Sequence, residues 1–339
     1  MSGPAAKLDV LFVVDGSSAT GFGHVARCLE LYRLVRAARG SATAAFQGSF
    51  SAPIRARIAA AAPELELAGP AAGRAARVCF VDRMADPDDP EACDRTQLDA
   101  LRASCDRLVY MASGLTAPIL PPGVACVGYQ PGEPKAARPG LFWDLCYAPV
   151  RESVRRLVGR AGEPGRALVA IGGSADLGPV RWAIRALARE PRVRAVDVLV
   201  SPAWAADAAA QLSDGATVHW HRAVPAEDLL AHAGLVVASQ GNLGYEAMAL
   251  GRAVVLVGVK DFQATIARRL AADGLAVYGG HWPAATEQAL AAAIGATIES
   301  APRLVARQRQ RLGDAGLHHV ADLLRAMLDE VDVACASSP

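Results

Sequence analysis

The sequence predicts an α/β protein of two Rossmann-like, doubly wound domains. Three observations predict it. Short Val-, Leu- and Ile-rich runs alternate along the chain with longer stretches of helical period. Strands separated by helices pair in parallel and carry helices on both faces of the sheet. A Gly- and Pro-punctuated segment near 148–166 divides this pattern into halves, as a boundary between domains does.

In the first half, apolar runs at 8–14, 42–46, 78–82, 107–111 and 124–128 predict strands, and helical patterns lie at 23–38, 53–61 and 94–104. The first helix repeats Val25, Cys28, Leu29, Tyr32 and Val35 on one face. In the second half, strands are expected at 167–171, 194–200, 216–220, 234–238 and 253–259. Helices are expected at 178–189, 203–212, 226–233, 243–250, 263–272 and 284–298, with a long terminal one near 302–330. The expected division is a first domain over 1–149, a linker over 150–165, a second domain over 166–330 that includes the terminal helix, and a frayed tail over 331–339.

Composition excludes several classes. At 339 residues, 52% hydrophobic and 20% charged, the chain can build two sizeable cores. A net charge of +1 and 5% aromatics offer neither the field nor the stacking platform that nucleic acid requires. The start lacks an apolar signal core, and the run at 8–14 is too short to cross a bilayer. A cytoplasmic protein, not integral to a membrane, is therefore expected. Seven scattered cysteines with no C-x-x-C pair argue against a disulfide framework and a zinc ribbon. Arg303, Arg307 and Arg311 recur every four residues on one helix face. A solvated basic face is the ordinary reading of that stripe, and an anionic membrane or carrier-lipid phosphate is the sharper one.

The loop Gly21-Phe22-Gly23-His24-Val25-Ala26-Arg27-Cys28 follows the first strand and opens the first helix. Its glycines permit close backbone approach, and the helix end supplies N–H groups and positive dipole. His24 is the one side chain of the loop able to move a proton near neutral pH, which makes it the candidate general base. Asp15, Gly21, Gly23, Arg27 and Asp82 are candidate substrate-binding residues. The loop lacks the third glycine of a dinucleotide fingerprint, so a dehydrogenase fits poorly. A second glycine turn, Gly172-Gly173-Ser174, follows the strand at 167–171, and Gly241-Asn242 leads to Glu246 within a helix start. These residues are candidates for nucleotide binding, with backbone N–H groups on phosphate and Glu246 on ribose hydroxyls. Dipole stabilisation is an equally ordinary role for Glu246. Asp261 and Gln263 stand at the next strand end, where they reach sugar hydroxyls or cap a helix.

Taken in order, Gly21 to Cys28, Gly172-Gly173-Ser174, Gly241 to Glu246, Asp261-x-Gln263 and Asp314-Ala315-Gly316 resemble a known family. It comprises the UDP-sugar hydrolases of the pseudaminic acid pathway and their spore-coat polysaccharide glycosyltransferase-like relatives. The resemblance implies a GT-B architecture, two Rossmann-like domains facing across a cleft with the nucleotide on the second. It implies that His24 helps water attack the anomeric carbon and that Glu246 holds the ribose. It implies a UDP-linked sugar substrate, no cofactor and no obligatory metal. The chain departs from the family pattern at Asp82-Arg83-Met84, Met111-Ala112-Ser113, Asn242-Leu243 and Phe262, so the sugar-facing side is altered. Three functions follow: a nucleotide-sugar hydrolase, an inverting glycosyltransferase with a glycan, protein or lipid-linked acceptor, and an idle nucleotide-sugar-binding partner.

Overall fold

The computed structural model describes residues 7–16, 22–70, 73–83, 93–132, 138–171, 177–200, 217–222 and 224–336. The chain divides into unit 1, Met1–Tyr147 with Gly316–Pro339, and unit 2, Ala148–Ala315.

In unit 1, strands β1 (Leu8–Val13), β2 (Ala44–Gln47), β3 (Glu66–Ala68), β4 (Ala76–Val81), β5 (Cys105–Ala112), β6 (Val124–Gly128) and β7 (Leu141–Trp143) form one sheet. The order is β3-β2-β1-β4-β5-β6-β7, and every pairing is parallel. Helices α1 (Gly23–Arg39), α2 (Ala52–Ala61) and α3 (Arg95–Arg102) connect the strands. The central strands are apolar at successive positions because both faces are covered. Leu11, Val13, Cys79, Val81, Leu108 and Tyr110 fill one face. On the other, Phe12 meets Phe46 and Phe80 edge-on at 5.3 and 6.0 Å.

Unit 2 begins with the short helix α4 (Glu152–Arg155), followed by β8 (Glu163–Ala170), α5 (Gly178–Ala188), β9 (Ala195–Val200), β10 (Thr217–Arg222) and α6 (Ala226–His232). It continues with β11 (Ala233–Ser239), α7 (Asn242–Ala249), β12 (Ala253–Gly258), α8 (Asp261–Ala272), β13 (Val277–His281) and α9 (Glu287–Leu312). Its parallel sheet has the order β10-β9-β8-β11-β12-β13. Val169, Val198, Val237 and Val255 pack on Trp182, Leu187, Leu290 and Ile294. The helical pattern expected at 203–212 lies outside the described residues.

One buried charge braces this unit. Arg252 is 3% exposed. Its guanidinium donates to the carbonyls of Leu230 at 3.0 Å, Ala231 at 3.1 Å and Arg160 at 2.8 Å. It thereby closes the carboxyl end of α6, where a cation also suits the helix dipole. Burial, with Arg160 close by, lowers its pKa from the ordinary guanidinium value. Arg252→Met strands three carbonyls and should lower the unfolding free energy by about 1–3 kcal/mol. Urea unfolding followed by circular dichroism checks this.

Four features of the expected organisation are corrected. The short strands β3, β7 and β13, of three, three and five residues, are not among the expected strands, and each pairs at an edge of its sheet with a longer neighbouring strand. The helix boundary expected near Pro302 falls instead at 313–316. The buried stripe Leu290, Ile294, Thr297, Leu304, Gln308 and Leu312 runs through Pro302 at helical spacing, so packing outweighs the one backbone hydrogen bond that proline removes. The terminal helix α10 (Leu317–Ala336) belongs to unit 1, not to the second domain. It packs on α1 and β4, with Leu324 and Leu328 buried. Its end is helical to Ala336 rather than frayed from 331, because Val331 is buried and Asp332 pairs with Arg39 at 2.6 Å and with Arg77. The stretch Glu287–Asp332 is apolar and long enough to cross a membrane by composition alone. In the fold it is two helices, each burying its stripe in its own unit.

Candidate active site

In unit 1 the strand order reverses between β1 and β4. Loops leaving the carboxyl ends of two such strands diverge, and the crevice between them is where open α/β sheets take ligands. Asp82 directly follows β4, and its N–H donates to the Val13 carbonyl at 2.9 Å. His24 is the second residue of α1, a helix with no side-chain cap and no acidic residue in its first turn. Its positive end therefore faces this edge with no acidic residue of its own.

The three side chains meet there. Asp82 Oδ1 lies 2.7 Å from His24 Nδ1. Arg27 donates from Nη2 to Asp82 Oδ1 at 2.6 Å and from Nε to Oδ2 at 2.9 Å. Its Nη1 reaches the hydroxyl of Tyr129 at 3.1 Å. An ionised carboxylate only accepts, so Nδ1 carries the hydrogen that Asp82 receives. The 2.9 Å approach of Arg27 Nη2 to Nδ1 is then a contact between two donors that share one carboxylate oxygen. When the imidazole is neutral, Nε2 then bears the lone pair, and no hydrogen bond occupies it among the described residues. A base held by a carboxylate through its far nitrogen is poised to take a proton.

Burial pushes the Asp82 carboxyl up, but the charges of Arg27 and His24 and their hydrogen bonds outweigh it and hold it well below the usual carboxylate range. Burial likewise lowers the Arg27 guanidinium, and Asp82 and Tyr129 more than restore it. The Cys28 thiol is pushed well up by burial and by Asp82, which removes it as a nucleophile near neutral pH.

Three residues expected to contact substrate change meaning. Arg27 and Asp82, read as substrate-binding, are 4% and 0% exposed and are spent on each other. They hold His24 in place. Asp15 accepts from the Ser49 N–H at 2.8 Å and pairs with Arg83 at 2.9 Å. It ties the end of β1 to the loop after β2, where a Cβ on Gly48 would fall 1.9 Å from the Val14 carbonyl oxygen. Gly23 begins α1, and Gly21 lies outside the described residues.

In unit 2 the reversal lies between β8 and β11. Gly172, Gly173 and Ser174 lie outside the described residues. Gly241 precedes α7 in an extended conformation, and a Cβ there would meet nothing closer than 4.0 Å, which leaves open space at the backbone. Asn242 opens the helix. Gln263 accepts from the Val259 N–H and donates to the Gln240 carbonyl, both at 3.1 Å, so it fastens two loops at one edge. Asp261 is fully exposed, 3.5 Å from His281.

Glu246 is 2% exposed. Arg151 donates to it from Nε at 2.6 Å and from Nη2 at 2.9 Å, and also pairs with Glu227 at 3.0 Å. Both oxygens read as ribose acceptors are therefore engaged by one planar fork. Burial raises the Glu246 pKa beyond what Arg151 offsets. Tyr129 and Arg151 were not foreseen. Tyr129 follows the run at 124–128 as Asp82 follows its own strand, and Arg151 opens a basic segment of the boundary.

No family model matches the chain, and no curated protein does. Solved structures are similar to it over nearly all its length. MurG of Acinetobacter baumannii aligns with a TM-score of 0.62 at 13% identity, over 94% of this chain and 99% of that one. The glycosyltransferase VinC in complex with DTDP gives 0.61 at 14% identity, over 95% and 100%. A glycosyltransferase from Rickettsia africae gives 0.58 at 9% identity, over 96% and 98%. Such identities speak for architecture alone. The chain has the GT-B fold, two Rossmann-like units, each built on a parallel sheet with flanking helices.

Proposed function

We propose that this chain is an inverting glycosyltransferase that uses a nucleotide-sugar donor. The observation that carries the reading is the His24–Asp82 pair at the reversal point of unit 1, with no hydrogen bond on Nε2 among the described residues, on a GT-B fold. In this mechanism Nε2 takes the proton of an acceptor hydroxyl as its oxygen attacks the anomeric carbon. The C–O bond to the nucleoside diphosphate breaks on the opposite face, and the diphosphate leaves with the bonding pair. Asp82 stabilises the imidazolium that forms. The motif order assigns Gly172, Gly173, Ser174, Gly241 and Asn242 to the nucleotide, and the start of α7 offers its positive dipole to the charge of the diphosphate without an obligatory metal. Glu246 reaches a ribose only if the Arg151 fork releases it.

Hydrolysis uses the same base with water in place of the acceptor. The order of motifs resembling the UDP-sugar hydrolases favours it. The structural neighbours VinC, a glycosyltransferase, and SpnG, a spinosyn rhamnosyltransferase, favour transfer. Among the neighbours, SpnG is described as complexed with thymidine diphosphate, so both UDP- and dTDP-sugars are natural donors to test. The acceptor class is a glycan, a protein or a lipid-linked glycan, and the reaction belongs to surface-polysaccharide synthesis in the cytoplasm.

The test incubates the full chain with UDP- and dTDP-sugars, with and without acceptors of each class and with EDTA. Nucleoside diphosphate and free sugar are followed. Release that depends on acceptor and survives EDTA is expected. Equal release of free sugar without acceptor assigns hydrolysis instead. Failure to bind any nucleoside diphosphate sinks both readings.

A further inference from the structure

Seven arginines lie in two short segments of unit 2 that contain no acidic residue: three within 155–160 and four within 303–311. The fold brings these segments to one corner. Arg155 pairs at 3.2 Å with Asp314, just beyond α9. The carbonyl of Arg160 accepts from Arg252 at 2.8 Å. On the preceding residue, a Cβ on Gly251 would fall 3.2 Å from Val305 and 3.8 Å from Arg309 Nε. β8 and β12 begin just after these turns and α9 ends there. The corner therefore lies at the amino-terminal edge of the sheet, opposite the loops that carry Gln240 to Glu246.

Most of this charge is uncompensated. Arg160, Arg303, Arg309 and Arg311 are exposed and make no ion pair among the described residues. Arg156 is 76% exposed, with Glu152 no closer than 3.6 Å. A chain of net charge +1 thus concentrates positive field on one face. Between Arg156 and Arg160 the chain turns at Gly159, whose φ is +90°, a left-handed conformation suited to glycine. Beside this turn stands Val158, 47% exposed and one of two large apolar side chains exposed among the described residues.

We propose that this corner docks unit 2 on an anionic lipid bilayer. The arginines meet headgroup phosphates, and Val158 enters the acyl boundary. The combination decides the partner: an exposed apolar side chain flanked by Arg156 and Arg160 matches a surface that is negative outside and apolar beneath. Neither segment holds an aromatic residue for stacking on bases. Because the docked edge is opposite the candidate nucleotide loops, docking leaves them open. The inference stands whether the chemistry is transfer or hydrolysis.

The test is flotation of the full chain with vesicles of phosphatidylcholine alone and with vesicles containing phosphatidylglycerol. About tenfold stronger partitioning to the anionic vesicles is expected, lost at high salt. The triple variant R160E/R309E/R311E should stay behind, and Val158→Ser alone should weaken flotation. Both should keep the wild-type urea midpoint, which separates lost docking from lost folding. Equal partitioning to neutral vesicles, no flotation, or flotation of the folded triple variant at the wild-type level would overturn the proposal. Retention on heparin without flotation would overturn it too, and would assign the face to a soluble polyanion.

Discussion

His24→Asn should lower turnover by about 10²–10⁴-fold, the usual contribution of a positioned general base, and leave nucleoside diphosphate affinity unchanged. The split follows from where the groups sit. His24 belongs to unit 1, while the candidate nucleotide loops belong to unit 2. Asp82→Asn should cost turnover of the same order. The carboxamide replaces one oxygen by an NH₂, which then faces either His24 Nδ1 or the Nε–H of Arg27. Facing Nδ1, it holds the imidazole in the tautomer whose Nε2 carries hydrogen and cannot accept a proton. Single-turnover kinetics report the chemical step, and titration calorimetry reports affinity. Wild-type turnover in His24→Asn would remove the residue from the mechanism.

Arg27→Met should destabilise the protein by about 3–5 kcal/mol at neutral pH, because it leaves the Asp82 charge buried without its guanidinium. The pH dependence carries a sign. In the wild type, burial raises the Asp82 pKa but Arg27 and His24 depress it further, so its folded value lies below the unfolded one. The stabilisation this gives is complete above the unfolded value of about 3.9 and is lost as pH falls through the folded value. Without Arg27 the buried carboxyl takes up its proton at higher pH. The stability gap between variant and wild type should therefore be widest near neutrality and narrow on acidification. Urea titrations at neutral and acidic pH measure it. A gap that does not change with pH would show that lost packing of the Arg27 stem, not the stranded carboxylate, sets the cost.

His24 was legible because strand, glycine loop and helix start are local signals: β1 ends at Val13 and α1 begins at Gly23. Asp82 was legible as a residue at a strand end, but its partner was not. The His24–Asp82 bond spans 58 positions, Arg27–Tyr129 spans 102 and Arg151–Glu246 spans 95. Nothing in a local pattern names a partner at that distance. Glu246 shows the consequence. A carboxylate near a helix start reads as an open acceptor until the fold brings an arginine from the unit boundary onto both oxygens.

The sequence by itself determined the periodic elements: the apolar runs that become buried parallel strands, the stripes that become helices, and the histidine at the first strand-to-helix turn. Periodicity records which face of an element must leave water, since that depends on residues a few positions apart. The tertiary structure alone decided what each face packs against. It set the strand order, and with it the reversal points that place His24 beside Asp82. It assigned α10 to unit 1 and gathered two arginine segments into one corner. Apolar burial is non-directional, so a stripe fits many surfaces in principle, and the choice among them is made by the packing of the whole unit.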